Sequence, residues 1–253
     1  MKRDPQTIDW PHWYERWEAM QNCYIPQRLR RFDLMLQLAD LPREAEVHVL
    51  DLGCGPGSLS LRTLRHYPNA AVVAVDFDPV MLTIGQEVAQ EAGDRIQFLQ
   101  ADLREVDWWQ PYQASFDLIL SSTALHWLSA ESLEQVYQRV YRALKPGGQF
   151  FNSDHMASND PAIQARYRQL LHVDQQSAFH VVGADDWRAF WEELQQALGR
   201  EIDRTQEDLW EGTDSGLPRQ FHVETLRQSG FEQIAFHWQD LGEAVIGAKK
   251  EQE

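Results

Sequence analysis

The stretch Val49-Leu50-Asp51-Leu52-Gly53-Cys54-Gly55-Pro56-Gly57 constrains this chain more than any other part of it. A short apolar run (Val47, Val49, Leu50, Leu52) stops at three alternating glycines, and a helical pattern begins at Leu59. That order reads as a buried parallel strand feeding a tight turn, where missing Cβ atoms let a ligand lie against bare backbone. The turn opens a helix whose free N–H groups favour a carboxylate, phosphate or hydroxyl-rich ligand. The spacing is Gly-x-Gly-x-Gly. The dinucleotide fingerprint Gly-x-Gly-x-x-Gly would need glycine at 58, where this chain has Ser58. The surrounding strands must therefore decide what the turn serves.

From residue 46 onward, strands alternate with helices. The first strand covers 46–51 and its helix 58–66; Ala71–Asp76 is the second strand. Asp78-Pro79 supplies an N-cap and a first-position proline for a helix running to about Ala92, and Ile96–Gln100 is the third strand. An aromatic loop (Trp108, Trp109, Tyr112) precedes the fourth, Phe116–Ser121. Ser129 caps a helix over 130–144, which Lys145-Pro146-Gly147-Gly148 stops before a fifth strand, Gln149–Ser153. Residues 154–217 then read as helices only, from Asp160-Pro161 to about Gln176 and from Asp185/Asp186 to Leu198. A helix at 218–229 and strands at 231–239 and 243–249 close the chain, with Gly242-Glu243 as a hairpin turn that makes one strand antiparallel. The expectation is an α/β fold with a doubly wound, mainly parallel seven-stranded sheet. It divides into an N-terminal helical cap (1–45), a ligand-binding core (46–153), a helical lid inserted after the fifth strand (154–217), and a final helix and strand hairpin (218–249).

Net charge is −16, from 39 acidic and 23 basic residues, so the positive footprint that nucleic acid requires is missing. Arg28, Arg30 and Arg31 are the one basic cluster. They lie in a helical run, Pro26–Ala39, whose apolar face is read as Leu29, Phe32, Leu36 and Ala39, which leaves the arginines solvated. Cys23 and Cys54 have no metal-ligand spacing and read as reduced thiols of a cytoplasmic protein. No run reaches the roughly 18 apolar residues of a membrane span. Met1–Gln6 lacks the apolar segment of a signal peptide.

A doubly wound sheet delivers the C-terminal ends of its strands to one edge, where ligands bind. Gly53–Gly57, Asp76-Phe77, Asp102-Leu103 and Ser121-Ser122 land there. Asp76 is placed to accept hydrogen bonds from two vicinal ribose hydroxyls, Phe77 to lie on a purine, and Asp102 to accept from its exocyclic amine. Either aspartate alone is equally an ordinary strand-end turn residue. Together, and in step with the glycine turn, they point to a nucleoside.

The motifs Asp51-Leu52-Gly53-Cys54-Gly55-Pro56-Gly57, the Asp76 strand end, Ala101-Asp102, Phe116-Asp117-Leu118-Ile119 and Leu144-Lys145-Pro146-Gly147-Gly148 resemble those of class I S-adenosylmethionine-dependent methyltransferases. The resemblance covers about 47–153, and 218–249 is similar to that family's closing hairpin. Ala124-Leu125-His126-Trp127-Leu128 is similar to the branch with trans-aconitate and malonyl-carrier methyltransferases. The resemblance implies a Rossmann-like fold and methyl transfer from S-adenosyl-L-methionine to a small molecule, a carboxylate being one candidate, with S-adenosyl-L-homocysteine as product. It implies that Asp51, Gly53, Cys54 and Gly55 form the turn at the methionine moiety. Asp76 would hold the ribose, Phe77 and Met81 the adenine face, and Asp102 and Leu103 its edge. Ser121 would offer its carbonyl to the α-amine, with Ser122 beside it among the cofactor contacts, and Arg31, or Arg28 in its stead, would hold the carboxylate.

Such transfer is an in-line displacement that needs alignment and desolvation more than acid–base groups. His126 is the titratable side chain that falls beside the methyl. It serves as base if the acceptor is a hydroxyl or amine and is not required for a carboxylate; its ring could equally bond locally. Asp154-His155 lacks a third partner for a metal. Trp13, Trp17, Phe179, Trp187, Phe190, Trp191 and Trp210 either wall a substrate pocket or pack the cap's own core. Arg166, His172, His180 and Arg188 either meet an anionic substrate or sit on the surface. The rival readings are action on a protein or nucleic acid, a non-catalytic binder of the cofactor, and an aminopropyl transferase, which lacks its paired acidic loop here. Oligomeric state is open.

Overall fold

The computed structural model describes residues 8–202 and 211–252; Met1–Gln6 and Trp210, read above, lie outside them. Five parallel strands form where the apolar runs stand: β1 (His48–Leu52), β2 (Ala71–Asp76), β3 (Ile96–Gln100), β4 (Phe116–Ser122) and β5 (Leu144–His155). β6 (Glu232–Asp240) and β7 (Glu243–Lys249) form the closing hairpin. The sheet order is β3-β2-β1-β4-β5-β7-β6, and β7 runs antiparallel to both neighbours. The order reverses between β1 and β4, which opens a crevice beyond their C-terminal ends.

Alternation along the strands builds two cores. Leu50, Leu52, Ile119 and Phe150 pack with Leu133, Val136, Tyr137 and Val140 of α5 (Ala130–Ala143) and Leu226 of α8 (Arg219–Gln228). Val49, Leu118, Leu120 and Phe151 pack on the other side with α2 (Arg28–Leu38), α3 (Ser58–His66) and Leu82 of α4 (Pro79–Val88). A third cluster joins Trp13 and Met20 of α1 (Trp10–Tyr24) to Met81 and Ile84 of α4 and to Phe190, Trp191 and Leu194 of α7 (Trp187–Leu198). Trp17 meets Trp187 and Phe190 with ring centroids 5.8 and 5.6 Å apart. α1 and the helices between β5 and α8 therefore meet over the crevice. α6 (Pro161–Val182) runs past the expected Gln176 to a glycine cap at Gly183 and has no buried residue.

Three expectations are corrected. The solvated reading of the arginines holds for Arg30 alone: Arg28 and Arg31 are 5% and 0% exposed, while Leu29, assigned to the apolar face, is 42% exposed. The reason is an internal partner for Arg31 and a packed ring for Arg28, whose guanidinium lies 4.8 Å from the Phe32 ring centre. Lys145-Pro146-Gly147-Gly148 stops the helix but not the sheet. β5 starts at Leu144 opposite Phe116 and bulges before Gln149 pairs with Leu118. The second core helix ends at Val88, and a 3₁₀ turn covers Gln90–Arg95. Among the described residues no helix is long and apolar enough to cross a membrane.

Candidate active site

The crevice holds a cavity of about 740 Å³. Its floor is the turn after β1. Gly53, Gly55 and Gly57 all have positive φ (65°, 54° and 81°), which allows three direction changes in five residues. A Cβ on Gly53 would stand 2.3 Å from the Ala124 Cβ, so the missing side chain lets the turns after β1 and β4 touch. A Cβ on Gly55 would meet only Trp17, 3.7 Å away; the rest of its surroundings is open cavity. Cys54 lines the cavity beside them, with its thiol pKa pushed up by burial.

Asp76 ends β2 facing this floor. Its Oδ2 accepts from Gly55 N–H at 2.7 Å and its Oδ1 from Asp78 N–H at 2.9 Å. Burial raises its pKa to about 6 in spite of these bonds. A buried carboxylate with unused lone pairs, facing a cavity, suits a ligand that brings hydroxyl donors. Phe77 and Met81 line the same end. Asp102 and Leu103, after β3, line it as well. Asp102 is not idle: Arg104 holds both carboxylate oxygens, at 3.0 and 2.5 Å, so an incoming amine would share an already paired acceptor. Its pKa is lowered, because Arg104 outweighs the cost of burial.

Three expected residues stand outside the lining. Arg31 is buried beneath α2 and its Nη1 donates to Glu243 Oε2 at 2.5 Å; Arg28, the substitute, lines the cavity and pairs with Glu18 at 3.0 Å. The Asp51 carboxylate turns below the glycine turn and accepts from Ser60 Oγ at 2.6 Å, with burial raising its pKa to about 7. The Ser121 hydroxyl donates to the Leu52 carbonyl at 2.8 Å, bracing β4 against β1, whereas Ser122 reaches the cavity.

The opposite wall carries two histidines. After β4, Thr123 takes a left-handed φ of 51° and a 3₁₀ turn, Leu125–Trp127, delivers His126. Asp154, from β5, accepts from His126 twice, from Nδ1 at 2.7 Å and from backbone N–H at 3.1 Å. His155 stands edge-on to His126 with ring centroids 4.5 Å apart, and its Nδ1 bonds to Glu243, the partner of Arg31. The two rings are tuned apart. Burial lowers the His126 pKa, Asp154 opposes that, and His155 adds to it. Burial also disfavours charge on His155, but Glu243 outweighs it and holds that pKa up. Both carboxyls end near 2: burial would raise them, and His126 beside Asp154 and His155 beside Glu243 pull them down to about 2. These bonds engage both Asp154 oxygens and His155 Nδ1. Among the described residues no group of three or more His, Cys, Asp or Glu side chains could share a metal ion.

Sequence reasoning missed the reach of α6 and of the loop beyond it. Arg168, Leu171, His172 and Gln175 line the cavity at helical spacing, as does Asp214. Of the four basic residues weighed above, only His172 lines it. Glu211 and Gly212 N–H groups donate to the Trp127 carbonyl at 3.0 and 2.9 Å, closing the His126 turn from outside. Trp17, Trp187 and Trp191 line the cavity and pack the cap at once, whereas Trp13 and Phe190 only pack.

The strand order, the glycine turn and the acidic end of β2 define a class I S-adenosylmethionine-dependent methyltransferase fold. Residues 49–148 match the family model described as Methyltransferase domain, as the motifs led us to expect. The chain is 32% identical over 142 residues to trans-aconitate 2-methyltransferase of Variovorax paradoxus, covering 56% of this chain and 48% of that one. It is 29% identical over 122 residues to malonyl-[acyl-carrier protein] O-methyltransferase of Priestia megaterium, covering 48% and 42%. It thus spans about half the length of the curated relatives it matches. Among solved structures it is similar to the methyltransferase SibL without ligand, with a TM-score of 0.57 at 17% identity over 89% of this chain and 56% of that chain. Human N-acetylserotonin methyltransferase in complex with S-adenosylmethionine gives a TM-score of 0.57 at 17% identity, over 95% of this chain and 57% of that one. At those identities the likeness speaks for the fold.

Proposed function

We propose that this chain is a methyltransferase that uses S-adenosyl-L-methionine and passes its methyl group to a small molecule. The observation that carries the reading is the glycine turn laid open opposite the Asp76 carboxylate, inside a cavity wide enough for a nucleoside and a small acceptor together. Gly53 and Gly55 would carry the amino-acid end against bare backbone, with Arg28 at its carboxylate in place of Arg31. Asp76 would accept the ribose hydroxyls, Phe77 and Met81 would face the adenine, and Asp102 and Leu103 would border it.

When bound, the cofactor supplies an electrophilic methyl on a sulfonium sulfur. The chain's part is to align an acceptor with that methyl and keep water out. Aligned reactants alone are worth on the order of 7–11 kcal/mol, and Trp17 of α1 with Trp187 and Trp191 of α7 form an apolar wall of the cavity. The helices over the crevice favour a small acceptor over a protein or nucleic acid, and so does the −16 net charge. Arg168 and His172, one turn apart on α6, support an acceptor that carries an anionic group. The test has two parts: calorimetry with S-adenosyl-L-homocysteine, and release of that product when radiolabelled cofactor meets a panel of small organic acids. Micromolar binding with turnover supports the reading. Binding without turnover of any panel member turns it into a cofactor-holding protein, and no binding removes it.

A further inference from the structure

We propose that His126 is the general base of this site, positioned by Asp154, and that the atom methylated is a hydroxyl oxygen which gives up its proton, not a carboxylate. The inference rests on the methyltransferase reading and adds to it the chemistry of the acceptor.

The geometry is that of an activated base. Asp154 occupies Nδ1 of His126 at 2.7 Å and fixes the turn through the backbone N–H at 3.1 Å. That leaves Nε2 as the ring nitrogen available to a ligand in the cavity that His126 lines. A buried carboxylate on the far nitrogen sets tautomer and orientation and stabilises the imidazolium once a proton arrives. The turn is clamped from outside as well. Gly216 packs so closely that a Cβ there would stand 2.1 Å from the His155 carbonyl oxygen and 3.3 Å from the His126 Cβ.

Burial and His155 work against a proton on the resting base. Asp154 from β5 favours a proton on His126. His155, 4.5 Å away and bonded to Glu243 of β7, which favours a proton on it, opposes that, as burial does. Asp214 and Arg168 face the same cavity from the loop and from α6. Two adjacent rings whose proton affinities are pulled in opposite directions leave His126 the better placed to accept a proton. A carboxylate acceptor arrives without a proton, and such a dyad would have nothing to take from it. A hydroxyl acceptor needs it. The oxygen lone pair forms the new O–CH3 bond, the S–CH3 bond breaks with its electron pair left on sulfur, and the hydroxyl proton passes to His126 Nε2 and later to water.

The test combines ring-labelled histidine NMR on the whole chain with kinetics on paired acceptors, hydroxy acids against the same acids lacking the hydroxyl. In the wild type, His126 should titrate below its ordinary value, and in Asp154→Asn lower still. kcat/KM on a hydroxy acid should rise with pH along that same titration and shift with it in Asp154→Asn. His126→Gln should lower kcat by on the order of 10²–10⁴-fold while S-adenosyl-L-homocysteine binding persists. Turnover of the deoxy acids alone overturns the proposal. So does wild-type kcat in His126→Gln, or a pH profile that ignores Asp154→Asn. Absent S-adenosyl-L-homocysteine binding in the wild type instead sinks the underlying methyltransferase reading, which calorimetry detects separately.

Discussion

Arg31 and Glu243 stand 212 positions apart in sequence and meet at 2.5 Å in the interior, with neither side chain more than 1% exposed. The pair ties α2 to β7, and His155 joins it through the second Glu243 oxygen. Removing one partner of a buried ion pair costs far more than the pair itself is worth, since the other charge stays buried alone. Glu243→Ala should therefore lower unfolding stability by about 3–5 kcal/mol in urea titrations. The double change Arg31→Met with Glu243→Leu should recover most of it. A single variant as stable as the wild type would contradict the buried-pair account.

In the proposed pose, Gly55 is where the ligand touches backbone. Gly55→Val puts a branched side chain into that space at a φ of 54°, which β-branched residues avoid. Calorimetry should find no S-adenosyl-L-homocysteine binding, and Gly55→Ala should retain part of it. Full affinity in the valine variant would place the ligand elsewhere.

The proposed ribose role of Asp76 predicts that binding depends on pH in a defined direction. With its pKa at about 6, the carboxylate gains a proton as pH falls through 6 and offers fewer acceptor sites to two hydroxyls. Affinity for S-adenosyl-L-homocysteine should weaken below that pH and level off above it. Asp76→Ala should cost at least tenfold, about 1.4 kcal/mol, and remove the pH dependence. A variant that binds as the wild type does would refute the ribose role.

Acid stability follows from the two depressed carboxyls. Asp154 and Glu243 have folded pKa values of about 2, below the roughly 3.9 and 4.3 of unfolded chains. Their contribution is present above the unfolded values and disappears as pH falls toward 2. His155 has the opposite sign: its raised pKa adds stability below the unfolded value of about 6.5, lost as pH rises through the folded one. Thermal melts should drop steeply between about pH 4 and pH 2, and Asp154→Asn should blunt that drop. A melt profile flat through this range would contradict the depressed carboxyls.

Much of the fold was legible because buried parallel strands read as apolar runs and the glycine turn punctuates them. β1 to β4 fell within a residue or two of their expected bounds. β5 did not, since Lys145-Pro146-Gly147-Gly148 reads as a break and serves here as a bulge. The site divides in the same way. Backbone-borne features such as Gly53, Gly55 and the Asp76 strand end could be read locally, because each lies in a turn defined by its own sequence. Burial of Arg31 and the Asp154–His126 bond depend on partners 212 and 28 positions away. Nothing near residue 31 or 126 announces them. The side chains of Asp51 and Ser121 brace the turn from below, through Ser60 and the Leu52 carbonyl, which no local pattern spells out.

The 2.3 Å that would separate a Gly53 Cβ from the Ala124 methyl has a wider consequence. The turn after β1 and the turn that presents His126 are pressed together there, so neither can move toward the other. Retuning this scaffold to a new acceptor must then leave both positions small and change shape elsewhere. α6, whose residues are nowhere fully enclosed, is the part left free to vary.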